Sequence, residues 1–390
     1  MIAEAAPTNV DWAAYRDEFP TLARCTFLNT CSLGALSRRS RAAVTTFLDL
    51  WEEHGASAWY RTWLGEAALL RTAFERLVGG APGSVALAPS AGVALAVIAS
   101  SYDYRTRNRV ITTALDFPTI PHQWLVRPDV EVLLLPSDDG IGVPLERYAA
   151  ALDERVALVA TSHVFFTSGY IQPIAAIARM AHAVGAHVLI DGYQGAGQVA
   201  LDVVRDDIDF YLSGGLKWLL GGPGIVELYV RPELIERLAP TIAGWFGHRA
   251  QFDFDAEHFA FHDDARRFEI GTPAMAAVYA ARAGLDIVLE LGPHAIRTRT
   301  QALVADMAAR LGAIGATLKL PADPDDHAGI VMMHATQPAP IVRSLRECKI
   351  IVDYRPGFVR ISPYFYNTEE ENQILAEALK DLLNTYEGQR

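Results

Sequence analysis

Residues 188–197 read VLIDGYQGAG, and residues 211–224 read YLSGGLKWLLGGPG. In each, an apolar run of strand length ends in small and polar residues: the first stops at Asp191, and the second runs into paired glycines around Lys217. If both runs are strands of one parallel sheet, Asp191 and Lys217 emerge at the same carboxyl edge, where open α/β sheets bind ligands. The lysine is itself unusual, because Lys217, Lys319, Lys349 and Lys380 are the only lysines in a chain that otherwise uses arginine. A lysine flanked by backbone-permissive glycines asks for a chemical reason rather than solubility.

The pattern extends outward. From residue 84 onward the runs VALAPS, RVITTALDF, VEVLLLPS, VALVATSHV, AHVLID, DFYLSGG and IVELYV alternate with amphipathic segments. This alternation predicts an α/β fold with a mainly parallel sheet between helices. Residues 38–63 read as one helix, and residues 274–291 as a helix leading into a smaller C-terminal α+β unit. That unit has strands near GIVMMHA and FVRISP and a last helix over residues 368–386. The expected partition is an N-terminal arm (1–35), a large domain (36–280) and a small domain (281–390) that packs with the N-terminal segment.

With 390 residues, half of them apolar, the chain can bury a large core. A net charge of -12 without any basic run argues against nucleic acid or an anionic membrane as partner and leaves a small molecule. The opening MIAEAAPTNVDW lacks the pattern of a secretory signal, and no apolar run approaches a membrane span, so a cytoplasmic location is expected. Cys25, Cys31 and Cys348 are odd in number and lack metal-type spacing, which predicts reduced thiols and no metal.

Asp191 and Lys217 together suit an aldehyde cofactor: the lysine condenses with the aldehyde, and the aspartate keeps a pyridine nitrogen protonated. APSAGVALAV places Ser90, Ala91 and Gly92 at a helix start, a natural seat for phosphate. In DFPT, Phe117 can stack on a flat ring, with Thr119 close by. SHVFFTSG offers Ser162 and His163 at another strand end. RPGFVRISPYFYNT presents Arg360, whose planar fork matches an α-carboxylate.

In these residues the chain resembles the class V branch of the fold-type-I pyridoxal-phosphate enzymes. Within it, the chain is similar to the kynureninase-like group, which includes isopenicillin N epimerase-like and ergothioneine C–S lyase-like proteins. The motifs FLNTCSLGAL, PSAGVALAV, DFPT, SHVFFTSG, DGYQGAG, LKWLLGGPG, GWFGH, GTP and VRISPYFYNT occur in the family's order over nearly the whole chain. The resemblance implies pyridoxal 5'-phosphate as cofactor, a seven-stranded-type sheet plus a smaller domain, and a homodimer. It also implies roles for residues. Lys217 and Asp191 are catalytic; Ser90, Ala91, Gly92, Ser213, Gln194 and a partner subunit's Thr272 hold phosphate or the cofactor oxygen; Phe117, Thr119, Ser162 and His163 lie beside the ring. Arg360 takes the substrate carboxylate with Asn29 and Ser32 nearby, and Trp245 and His248 of GWFGH shape the pocket across a dimer interface. Two positions depart from kynureninases, which prefer histidine at Gln194 and commonly carry tyrosine at Leu216.

Once the Cα proton is removed, loss of a β-substituent, transamination and epimerisation all compete. Residues 321–335 contain no cysteine, which disfavours a desulfurase. A lyase or hydrolase acting at Cβ is the expectation, with an aminotransferase or epimerase next. A catalytically idle relative serving as scaffold or sensor is disfavoured by the presence of both Asp191 and Lys217.

Overall fold

A computed structural model describes residues 10–386, so residues 1–9 of the expected arm, most of the MIAEAAPTNVDW stretch and residues 387–390 lie outside it. Its strands, in chain order, are Thr26–Phe27 (β1), Val85–Ala88 (β2), Arg109–Thr113 (β3), Glu131–Leu135 (β4), Val156–Ser162 (β5), His187–Asp191 (β6), Phe210–Gly214 (β7), Val226–Val230 (β8), Leu318–Lys319 (β9), Val331–His334 (β10), Ile350–Ile351 (β11), Asp353–Arg355 (β12) and Phe358–Ile361 (β13). All seven apolar runs read from the sequence are strands of one sheet, ordered β2-β8-β7-β6-β5-β3-β4. Strands β7, β6, β5, β3 and β4 are parallel, and β8 runs antiparallel to both β7 and β2.

Strand residues alternate between the two faces. Ile111, Val159, Val188, Ile190 and Tyr211 enter one core, while Val110, Leu158, Ala160, Leu189, Phe210 and Leu212 enter the other. Because β2, β3, β5, β7 and β8 are buried throughout, they read as continuous apolar runs rather than alternating ones. A third core lies under a four-stranded antiparallel sheet, β12-β13-β10-β9. The N-terminal segment joins this C-terminal half directly: β1 pairs parallel with β11, and Asn29 bridges to Ser362.

One expected element is broken. The helix read over residues 38–63 ends at His54, because Gly55 takes a φ of +52. A 3-10 turn and a π-helical turn (Trp59–Trp63) follow before the next helix, Leu64–Val78. The helices Met275–Leu291 and Glu369–Tyr386 stand where the sequence places them. Among the described residues, no helix is long and apolar enough to cross a membrane.

Candidate active site

Lys217 lies in the turn after β7, and the backbone on either side of it is pinned. Leu216 O accepts from Gly34 N–H at 2.9 Å, and Trp218 O accepts from the Tyr364 hydroxyl at 2.9 Å. The N–H groups of Gly221 and Gly222 both donate to Gly215 O. A side chain on Gly221 would meet the backbone of Ala281, so the glycines around the lysine answer to close packing.

Asp191 closes β6 and is buried, its Oδ1 accepting from Tyr193 N–H at 2.8 Å. Burial pushes its carboxyl up to about 6, against the pull of that N–H and of the Lys217 charge. Burial likewise draws the Lys217 amine down to about 8; the Asp191 charge opposes this, and the cations Arg360 and Arg355 add to it. Lys217 Nζ sits 5.2 Å from the ring centre of Tyr193 and 5.7 Å from that of Phe117.

Both residues open into a cavity of about 540 Å³, well within the range of small-molecule sites. Ser90, Ala91 and Gly92 line one end of it, at the start of the helix Ala91–Ser100, where Ser90 caps the Val93 N–H. Phe117, Thr119, Ser162 and Gln194 form walls. Ser32 and Arg360 close another part. Arg360 is 1 % exposed and donates through Nη2 to Ser32 Oγ and Asp353 Oδ2, both at 2.7 Å, and through Nη1 to Phe166 O at 3.2 Å. Its Nε is buried without a partner. Asp353 is half-buried, which opposes its charge, yet the Ser32 hydroxyl, the Tyr354 N–H, Arg360 and Arg355 together hold its carboxyl at about 2.

Six expected site residues stand elsewhere. His163 is buried behind Asp191, its Nδ1 3.1 Å from the Tyr211 hydroxyl, and burial lowers its pKa to about 4. Ser213 is buried on the Tyr211 face of β7, reaching Gly192 O at 3.4 Å. In both cases the strand alternation explains the outcome: Ser162 faces the cavity, so His163 cannot, and Ser213 shares a face with Tyr211 rather than with Leu212. Asn29 lies beside Ser362 outside the cavity lining, with its Oδ1 buried and unpartnered. Thr272 is exposed and away from the cavity. Trp245 and His248 line a separate hollow with Phe254 and Phe259. None of the last three meets Lys217 within one chain.

The structure also adds residues. Tyr193, Val164, Phe166, Cys31, Leu216 and Arg355 line the cavity. Behind it, buried Asp116 accepts from the hydroxyls of Thr112, Thr161 and Ser162 and from the N–H groups of Thr113 and Ser162, tying the Phe117 loop to the end of β5. Gln194 is fixed at both ends, donating to Cys31 O at 3.0 Å and accepting from Trp218 Nε1 at 2.7 Å. The aspartate of DFPT and the tyrosine of DGYQ were visible as polar residues inside motifs, but their partners come from other strands.

These features fit a phosphorylated pyridine aldehyde. A buried amine with a lowered pKa faces a carboxylate. Gly92 stands at a helix N-terminus that lines the cavity, and a Cβ there would meet nothing closer than Thr119 Cγ2 at 3.7 Å, which leaves room for a phosphate beside the first turn.

The family model "Aminotransferase class-V" matches residues 68–375. The chain belongs to the class V aminotransferase family. It is 34% identical over 357 residues, 92% of this chain and 94% of the relative, to the uncharacterised aminotransferase YcbU of Bacillus subtilis. It is 28% identical over 391 residues to a kynureninase of Bacillus anthracis, covering 94% of this chain and 91% of that protein. Among solved structures, the cystine C–S lyase C-DES in complex with cysteine persulfide superposes with a TM-score of 0.86 at 22% identity, covering 93% of this chain and 99% of that one. A cysteine desulfurase from Thermococcus onnurineus NA1 gives 0.86 at 19% identity, covering 99% and 100%. At these identities the two structures show the shared fold alone, a mainly parallel sheet flanked by helices.

Proposed function

We propose that this protein is a pyridoxal-phosphate-dependent enzyme that acts on an amino acid and breaks a C–S or C–C bond at its Cβ, working as a cytoplasmic homodimer. The observation that carries the reading is the convergence of Lys217, Asp191 and Arg360 on one cavity. When bound, the cofactor supplies an electron sink for the pair left at Cα after a bond there breaks. Lys217 would hold its aldehyde carbon and Asp191 its ring nitrogen. The N–H groups of Ala91 and Gly92 and the Ser90 hydroxyl would hold its phosphate, and Phe117 would cover its ring.

Arg360, anchored by Asp353 and Ser32, presents its guanidinium to the substrate α-carboxylate and so orients the bonds at Cα. Once the substrate's amino group has taken its place, the freed Lys217 Nζ, its proton affinity lowered by burial, would remove the Cα proton and could return one. Phe166 and Val164 add apolar walls that exclude water near Arg360. The similarity to kynureninases over 94% of the chain supports chemistry at Cβ. A second reading, transamination, draws on the 34% identical relative named an aminotransferase.

The cofactor's form after turnover decides between them. A lyase or hydrolase turns over without a keto acid and leaves the visible band of the bound aldehyde cofactor intact. Stoichiometric conversion to the amine form by the native substrate, reversed only by an added keto acid, would establish the aminotransferase instead.

A further inference from the structure

We propose that the Tyr193 hydroxyl donates to the phosphate group of the cofactor, replacing the serine donor that the sequence suggests at Ser213. This rests on the pyridoxal-phosphate reading above. The first ground is position. A Cβ at Gly214 would lie 2.5 Å from the Tyr193 hydroxyl oxygen, so the hydroxyl lies against the end of β7. Gly214 pairs with Val226, and Val226 with Ala88, whose chain continues through Pro89 into the Ser90 cap. Tyr193 also packs on the core face that carries the helix Ala91–Ser100. The hydroxyl therefore extends toward the side of the cavity where that helix begins.

The second ground is the supply of donors. Ser213 is buried on the opposite face, Gln194 is engaged by Cys31 and Trp218, Leu216 has no polar atom to offer, and Thr272 lies outside the cavity. Among the described residues, the Tyr193 hydroxyl enters no hydrogen bond, whereas its backbone N–H is committed to Asp191. Glycine at 214 is what leaves room for the ring. Burial, with Glu227 and Asp191 nearby, raises the phenol above its usual value, which keeps it a donor at neutral pH.

Tyr193→Phe tests the assignment because it removes one oxygen and keeps the ring. Cofactor-free wild type and variant are titrated with pyridoxal phosphate and with unphosphorylated pyridoxal, and binding is read from visible absorbance and equilibrium dialysis. The expected result is a roughly 10- to 100-fold weaker dissociation constant for pyridoxal phosphate, the scale of a hydrogen bond to a charged group, with pyridoxal affinity unchanged. Tyr193→Leu, which also removes the ring, is expected to weaken both. An equal loss for both compounds in Tyr193→Phe, or no loss for either, overturns the assignment. A wild type that binds no pyridoxal phosphate would overturn the underlying functional reading, and it is seen before any variant is made.

Discussion

The Lys217 amine offers a test that needs neither substrate nor cofactor. Burial draws its pKa to about 8 from 10.5. About a quarter of Lys217 is then free amine at pH 7.5, against roughly one in a thousand for a lysine of ordinary pKa. Its intrinsic reactivity toward an amine-selective acylating reagent is therefore raised about 200-fold through ionisation alone. The chain has only four lysines, so peptide mass mapping of competitively labelled, cofactor-free protein resolves each one, with exposed Lys349 and Lys380 as internal references. The expected profile for Lys217 rises with pH and inflects near 8. Asp191→Asn removes the nearest opposing charge, so the inflection should move lower still, because only Cys31 then favours the cation while Arg360 and Arg355 disfavour it. An inflection at 10 or above would mean that the amine is not desolvated, and the proposed proton transfer at Cα would lose its physical basis.

Other outcomes follow from the same geometry. Lys217→Met should stabilise the cofactor-free protein by up to about 3 kcal/mol below pH 8. The gain should fade toward pH 10.5, since the native amine titrates at about 8 and the unfolded one at 10.5; calorimetry across pH checks it. Asp191→Ala should retain some cofactor absorbance yet lose orders of magnitude in turnover, measured on the amino acid that perturbs the visible band; wild-type rates would reduce Asp191 to a loop cap. Arg360→Lys should raise KM and lower kcat/KM by about 2 kcal/mol or more, because a point-like ammonium on a shorter stem cannot reproduce a planar guanidinium that holds Ser32 and Asp353 through one nitrogen and offers others to a carboxylate; unchanged kinetics would remove the carboxylate role. Sedimentation should find a dimer, and an active monomer would contradict the proposed assembly.

The strands of the large sheet were legible because most are buried on both faces, so that hydrophobicity alone marks them; the edge strand β4, only partly buried, still carries four apolar residues. The break at Gly55 was not, since apolar spacing continues through it and only the positive φ ends the helix. Short β9, β11 and β12 carry too few residues to show a period. In the site, motif residues at strand ends were readable, and Lys217, Asp191, Arg360, Phe117 and the 90–92 turn share one cavity. His163 and Ser213 fall on the face opposite Ser162 and Leu212, as strand alternation dictates. Asp116, Asp353 and Tyr193 were not readable in the same way, since what each does is set by a neighbour distant in sequence.

Those neighbours explain the spacing of DGYQGAG better than flexibility does. A side chain at Gly192 would collide with the Tyr211 ring, and one at Gly195 would come within 2.5 Å of His163 Nδ1. His163 and Tyr211, joined to each other, thus fill the space behind the loop, and His163 N–H donates to Asp191 O at 2.8 Å. The histidine stays neutral across the physiological range because burial holds it near 4. The neutral ring therefore fills the space behind the loop without adding a charge to it. The ionisation of Asp191, which burial pushes up to about 6, is set against that burial by the Tyr193 N–H and the Lys217 charge, with the Asp116 charge adding to the rise.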